Sequence, residues 1–220
     1  DFFNEQTEYF IEKVRLASQA KVHFNSEIAS KKYLLENNKQ IIKASKKIVA
    51  IGASTGGVQV IEQIVGALHP NHPAIVITQH MPEGFTKSFA SRLNTLVPNS
   101  EVKEAQEGDT LLPGRILIAP GHLHMEVKKV AFTYQIRLKD YPKVNSHKPS
   151  VNVLFASMAK EVKDNGIGII LTGMGDDGAS KLLAMKQAKA KTYAQNEKSC
   201  VVYGMPKKAI ELGGVSKEVS

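Results

Sequence analysis

Ile48-Val49-Ala50-Ile51-Gly52-Ala53-Ser54-Thr55-Gly56-Gly57 decides the fold. The first half is a short apolar run rich in β-branched residues, the pattern of a strand buried on both faces. A glycine-rich turn follows, and 58–68 then reads as a helix. The same unit recurs along the chain. Residues 74–78 form a second apolar run, ending in Gln79-His80-Met81-Pro82 with a helical pattern over 83–96. Residues 116–119 are a third run, closed by Pro120-Gly121. Farther on, 151–162 reads as helix, 167–171 as strand, 179–188 as helix and 192–194 as a short strand.

Strands alternating with helices predict an α/β fold: a doubly wound, mainly parallel sheet with helices on both faces, Rossmann-like in class. One segment breaks the alternation. Residues 124–128 and 130–138 alternate around Lys128-Lys129 and are expected to form an antiparallel hairpin. In such sheets function gathers at the carboxyl ends of the strands.

Upstream of the α/β pattern, Tyr9, Phe10, Val14, Leu16, Ala17 and Ala20 recur at the helical period, which predicts an amphipathic helix. Residues 25–47 are polar and lysine-rich, a linker with a weaker helical pattern. The expected organisation is therefore 1–45 as helix and linker, 46–215 as the domain proper and 216–220 as a tail. The chain starts at Asp1 and not at methionine, so it is expected to be a piece of something longer.

With 42% hydrophobic and 23% charged residues, the 220-residue chain has the profile of a globular protein. It has no apolar run near the roughly 20 residues that cross a bilayer, so no membrane insertion and a cytoplasmic location are expected. Cys200 is the single cysteine, which excludes an intramolecular disulfide and a cysteine metal cage. The net charge of +8 favours an acidic partner. Nucleic acid is not expected, because aromatics are 6% of the chain and the basic clusters contain few of them.

The chemistry sits at strand ends. Gly52-Ala53-Ser54-Thr55-Gly56 fits the G-x-S-x-G nucleophile elbow, a sharp strand-to-helix turn that lifts a serine above the sheet. A glycine-rich turn before a helix suits a dinucleotide phosphate equally well. The next strand separates the readings. A dinucleotide site expects an acid there to hold ribose, and this strand delivers His80, an imidazole able to take a serine proton. The strand at 167–171 runs into Gly173-Met174-Gly175-Asp176-Asp177-Gly178, where either acid could orient that imidazole and either could cap the helix near Ala179. The chain order Ser, His, Asp differs from that of α/β-hydrolases. Rival readings are a phosphate-binding module without catalysis and a hydrolase of small-molecule esters.

These motifs, with Ala119-Pro120-Gly121, His124-Met125 and His147-Lys148-Pro149-Ser150-Val151, resemble the catalytic domain of the chemotaxis methylesterases, the CheB family, from about Lys47 to Gly214. The resemblance implies Ser54 as nucleophile, His80 as general base and acid, and Asp177 as orienting carboxylate. Thr55 and Met174 match positions lining the family's active site, in the substrate and oxyanion region. It further implies γ-glutamyl methyl esters on chemoreceptor cytoplasmic helices as substrate, deamidation of receptor glutamines, and a receiver domain upstream, of which 1–21 resembles the last helix. No cofactor and no metal are implied. His147 is expected to border the substrate groove, while His69, His72, His122 and His124 read as scattered surface histidines.

Overall fold

The computed structural model describes residues 47–220. The expected helix within 1–45 lies outside the described residues.

The apolar run opens the sheet as β1 (Ile48–Ala53), followed by α1 (Gly57–Gly66). Gly56 makes the join at φ +82°, a left-handed conformation in which a side chain would be strained. Next come β2 (Ala74–Gln79), α2 (Phe85–Leu96), β3 (Glu101–Glu104) and β4 (Arg115–Ile118). The hairpin is β5 (His124–Val130) with β6 (Thr133–Lys139). Then follow α3 (Val151–Ser157), β7 (Gly166–Ile170), α4 (Ala179–Gln187), β8 (Lys191–Gln195), α5 (Met205–Glu211) and β9 (Lys217–Val219).

The main sheet has seven strands in the order β3-β4-β2-β1-β7-β8-β9, and all its pairings are parallel. Alternate residues of each inner strand feed opposite layers. Ile51, Ala53, Ile75, Ile77, Ile116 and Ile118 pack with Ile61, Val65, Phe89 and Leu93 of α1 and α2. Ile48, Ala50, Val76 and Leu117 face Val151, Leu154 and Phe155 of α3 and Leu182 and Met185 of α4. Two buried faces explain why these strands read as unbroken apolar runs.

From β1 the chain travels outward through β2 to β4 and β3, then returns past β1 to β7 and β8. The reversal occurs beside β1, at the switch point where open α/β sheets leave a crevice beyond their carboxyl edge.

Several details differ from the sequence reading. The hairpin turns at Ala131-Phe132, with Ala131 at φ +51°, whereas Lys128 and Lys129 lie within β5, paired with Gln135 and Tyr134. The helix expected over 151–162 changes pitch, continuing as a π-helix over Met158–Val162. β3 and α5 were not expected: β3 buries only Val102, and α5 starts with Met205-Pro206 and spans two turns, too short for a periodic signal. Residues 216–220, read as a tail, carry the edge strand β9, which pairs with Tyr193, Ala194 and Gln195.

Candidate active site

Ser54 and His80 each follow the last residue of adjacent strands, because β1 and β2 pair with Ala53 opposite Gln79. The backbone fastens both. The Ser54 N–H donates to Thr172 O at 3.0 Å, and the His80 N–H donates to Ala53 O at 3.0 Å. Two buried side chains lock the elbow from either side. Gln79 Nε2 donates to Ser54 O at 2.9 Å and to His80 O at 3.2 Å. Thr172 Oγ1 donates to Thr55 O at 2.9 Å. Gly173 permits this packing, since a Cβ there would fall 2.7 Å from the Ser54 Cβ.

Asp177 is completely buried and joins His80 through a 2.8 Å hydrogen bond from Nε2 to Oδ2. Its other acceptor positions are filled from a distant segment. Oδ1 accepts from Ser150 Oγ at 2.7 Å and from the Asn152 N–H at 3.1 Å, and Oδ2 also accepts from the Val151 N–H at 2.7 Å. Neither Asp176 nor Asp177 caps α4, whose N-cap is Gly178 without a side-chain bond. Asp177 instead binds the first amides of α3, which have no partner within their own helix. Burial pushes the Asp177 carboxyl up, but the bonds from His80 and Ser150, the charge of His80 and the Val151 amide outweigh it and hold the group below the ordinary carboxylate range.

The structure thus brings His80 and Asp177 together and sets Ser54 beside them, without closing a bond from Ser54 to His80. His80 Nδ1 is buried and has no hydrogen-bond partner. Since Nε2 is committed to Asp177, Nδ1 is the ring nitrogen left for a serine proton. Thr55 is exposed on the elbow, and Met174 is half-buried in the turn after Gly173.

His147, expected to border a groove, lies face to face with His80. Its ring stacks on that of His80, with centroids 3.7 Å apart and planes 8° from parallel. Two of the histidines read as surface residues are buried. His72 bonds to Pro73 O and Ser100 Oγ. His124 donates from Nε2 to Pro142 O at 3.1 Å and accepts the Ser150 N–H on Nδ1 at 3.3 Å, so it supports the serine that holds Asp177. Burial pushes the His124 imidazole below its ordinary range, in keeping with a ring that must accept a hydrogen bond.

His80, His147 and Asp177 also offer donor atoms within 4.8 Å of one another. They fit a metal poorly. The carboxylate oxygens already accept four hydrogen bonds, and the in-plane lone pairs of stacked imidazoles run side by side instead of converging on one ion.

A doubly wound parallel sheet with Ser54, His80 and Asp177 gathered at its switch point defines the class as an α/β protein with its candidate site beyond the carboxyl ends of the strands. The comparisons narrow this class. The CheB methylesterase family model matches residues 49–220, and the chain belongs to that family. It is 51% identical over 213 residues to the protein-glutamate methylesterase/protein-glutamine glutaminase of Salmonella typhimurium, an alignment covering 97% of this chain and 60% of that protein. The protein of the same description from Escherichia coli (strain K12) is 50% identical over 212 residues, with 96% and 60% covered. The chain therefore spans about 60% of the length of the curated relatives it matches. The crystal structure of the Thermotoga maritima CheB methylesterase catalytic domain superposes with a TM-score of 0.75 at 39% identity, covering 78% of this chain and 91% of that one.

Proposed function

We propose that this chain is the catalytic domain of a protein-glutamate methylesterase that hydrolyses γ-glutamyl methyl esters on chemoreceptor cytoplasmic helices and deamidates receptor glutamines. The observation that carries the reading is the buried Asp177–His80 pair set beside Ser54 at the switch point. Ser54 Oγ attacks the ester carbonyl while its proton passes to His80 Nδ1, and Asp177 steadies the resulting imidazolium through Nε2. The tetrahedral oxyanion lies among the backbone amides around Thr55 and Met174. Collapse breaks the bond to the methoxy oxygen, which leaves with the His80 proton as methanol. Water, deprotonated by His80, then attacks the glutamyl ester of Ser54; the carboxylate is released, and Ser54 recovers its proton. A glutamine substrate follows the same course with ammonia as leaving group.

A protein surface suits this site better than a small ester. Ser54 is half-buried on an elbow whose Thr55 is exposed. No helix among the described residues is long and apolar enough to cross a membrane. The receiver domain expected of the family is the regulatory partner in this reading.

Methanol release from methylated chemoreceptor membranes tests the proposal. The parent chain is expected to release methanol, and Ser54→Ala to lose roughly 10⁴-fold or more in kcat. A folded parent that releases none would overturn the reading, and an active Ser54→Ala would move the nucleophile elsewhere.

A further inference from the structure

His80 is held by one side-chain hydrogen bond, from Nε2 to Asp177. An imidazole tethered at one edge can still rock about that bond, and rocking changes where Nδ1 points. The contact that opposes rocking is the face-to-face stack with His147. A stack restrains the ring plane, which an edge bond does not.

The segment that carries His147 is built for this placement. Val144 and His147 exchange backbone hydrogen bonds of 3.0 Å in both directions. Between them Asn145 and Ser146 sit at φ +52° and +65°, the left-handed region that residues bearing a Cβ enter only at a cost. Two further bonds fasten the turn. His147 Nδ1–H donates to Asn145 O at 2.6 Å, which fixes that ring's own orientation. Asn145 Nδ2 donates to Asp176 Oδ1 at 2.8 Å, tying the turn to the loop that carries Asp177. From His147 the chain runs directly into Ser150, Val151 and Asn152, the residues that hold Asp177. One short segment therefore touches the base on its face and the acid on its oxygens.

We infer that His147 is a positioning residue for His80: stacked from the Val144–His147 turn and anchored through Asn145 to Asp176, it holds the His80 ring plane so that Nε2 stays on Asp177 and Nδ1 stays directed at Ser54. This rests on the reading of His80 as the base of the esterase. It also gives Asp176 a purpose, that of anchoring the turn.

The test compares His147→Ala, His147→Phe and Asn145→Gly in the same chain, by steady-state methanol release, by NMR of the His80 imidazole and by thermal melting. His147→Ala is expected to lower kcat roughly 10- to 100-fold with KM changed by no more than about twofold. His147→Phe, a flat ring without titratable nitrogens, should restore most of the lost rate. Asn145→Gly keeps the left-handed turn and deletes only the tie to Asp176, so its loss should fall between the two. Combined with His147→Ala it should cost nothing further, because both changes cut one linkage. The His80 ring signals should broaden in His147→Ala and sharpen again in His147→Phe. An unchanged kcat in His147→Ala, a His147→Phe as slow as the alanine variant, or additive losses in the double variant would each overturn the inference. If the parent releases no methanol, the esterase reading fails by itself, and the His80 signals across the folded variants still decide the positioning role.

Discussion

In the proposed esterase, the one carboxylate of Asp177 serves both catalysis and stability. Its folded pKa lies below the unfolded value of about 3.9, so on acidification the unfolded chain takes up the proton first. The stabilisation from its hydrogen bonds is complete above about pH 5 and is lost as pH falls through the folded value. His124 acts in the same sense at higher pH. Burial depresses its pKa, so below about 6.5 the unfolded chain gains a proton that the folded one refuses. The melting temperature should therefore fall in two stages, below about pH 6.5 and again below about pH 4. Asp177→Asn should lack its share of the second stage and should lose roughly 10⁴-fold in kcat, since an amide cannot stabilise the imidazolium. Melting curves between pH 3 and 8 check the first claim. A variant whose curve stays parallel to the parent's down to pH 3 would show that Asp177 contributes no proton-linked stability.

At the scale of elements, the elbow after β1 works because its neighbours immobilise it. Gln79, the last residue of β2, spans the carbonyls of Ser54 and His80, and Thr172, just beyond β7, grips Ser54 and Thr55 from the other side. Gln79→Met keeps the bulk and removes both donors. If Ser54 is the nucleophile proposed, it should lower kcat about tenfold by loosening it, and cost about 0.5–1.5 kcal/mol through the lost hydrogen bonds to the Ser54 and His80 carbonyls, the first of which keeps the Gly57 N–H. A parent-like kcat with a lowered melting temperature would mean that Thr172 fixes the elbow alone. Such ties also mark the limit of what a sequence discloses. Ser54, His80 and the Asp176-Asp177 pair could be located because each follows an apolar run that must lie inside a parallel sheet, and such runs end on one edge. Gln79, Ser150 and His124 could not be located, because their partners lie far along the chain and nothing local records the pairing. Asp177, two residues before Ala179, looks locally like a cap for α4, yet the helix it binds starts at Val151. β3 and β9 escaped detection for another reason: edge strands face solvent, so Lys217 and Glu218 can stand where an inner strand needs isoleucine.

For the molecule as a whole, that outer edge bears on the site. β9 covers β8 by pairing Lys217, Glu218 and Val219 with Tyr193, Ala194 and Gln195. Ser216 N–H to Thr192 O at 3.0 Å and Asn196 N–H to Val219 O at 2.8 Å belong to the same junction, as does the 2.9 Å contact of the Thr192 and Ser216 hydroxyls. Beneath it, the buried Gln195 side chain accepts the Thr172 N–H at 2.8 Å, and the Thr172 carbonyl holds the Ser54 N–H. Support for Ser54 thus runs through β8, and β9 shields that strand. Removing residues 216–220 would expose the β8 edge, a template for pairing between chains, and would delete a few backbone hydrogen bonds worth about 0.5–1.5 kcal/mol each. The expected result is a melting temperature lower by about 2–8 °C, with aggregation that grows with protein concentration and methanol release that fades at a lower temperature than in the parent. Differential scanning calorimetry and light scattering on both chains read this directly. A truncated chain that melts with the parent and stays monodisperse would show that β8 needs no cover, and that support for Ser54 ends at Gln195.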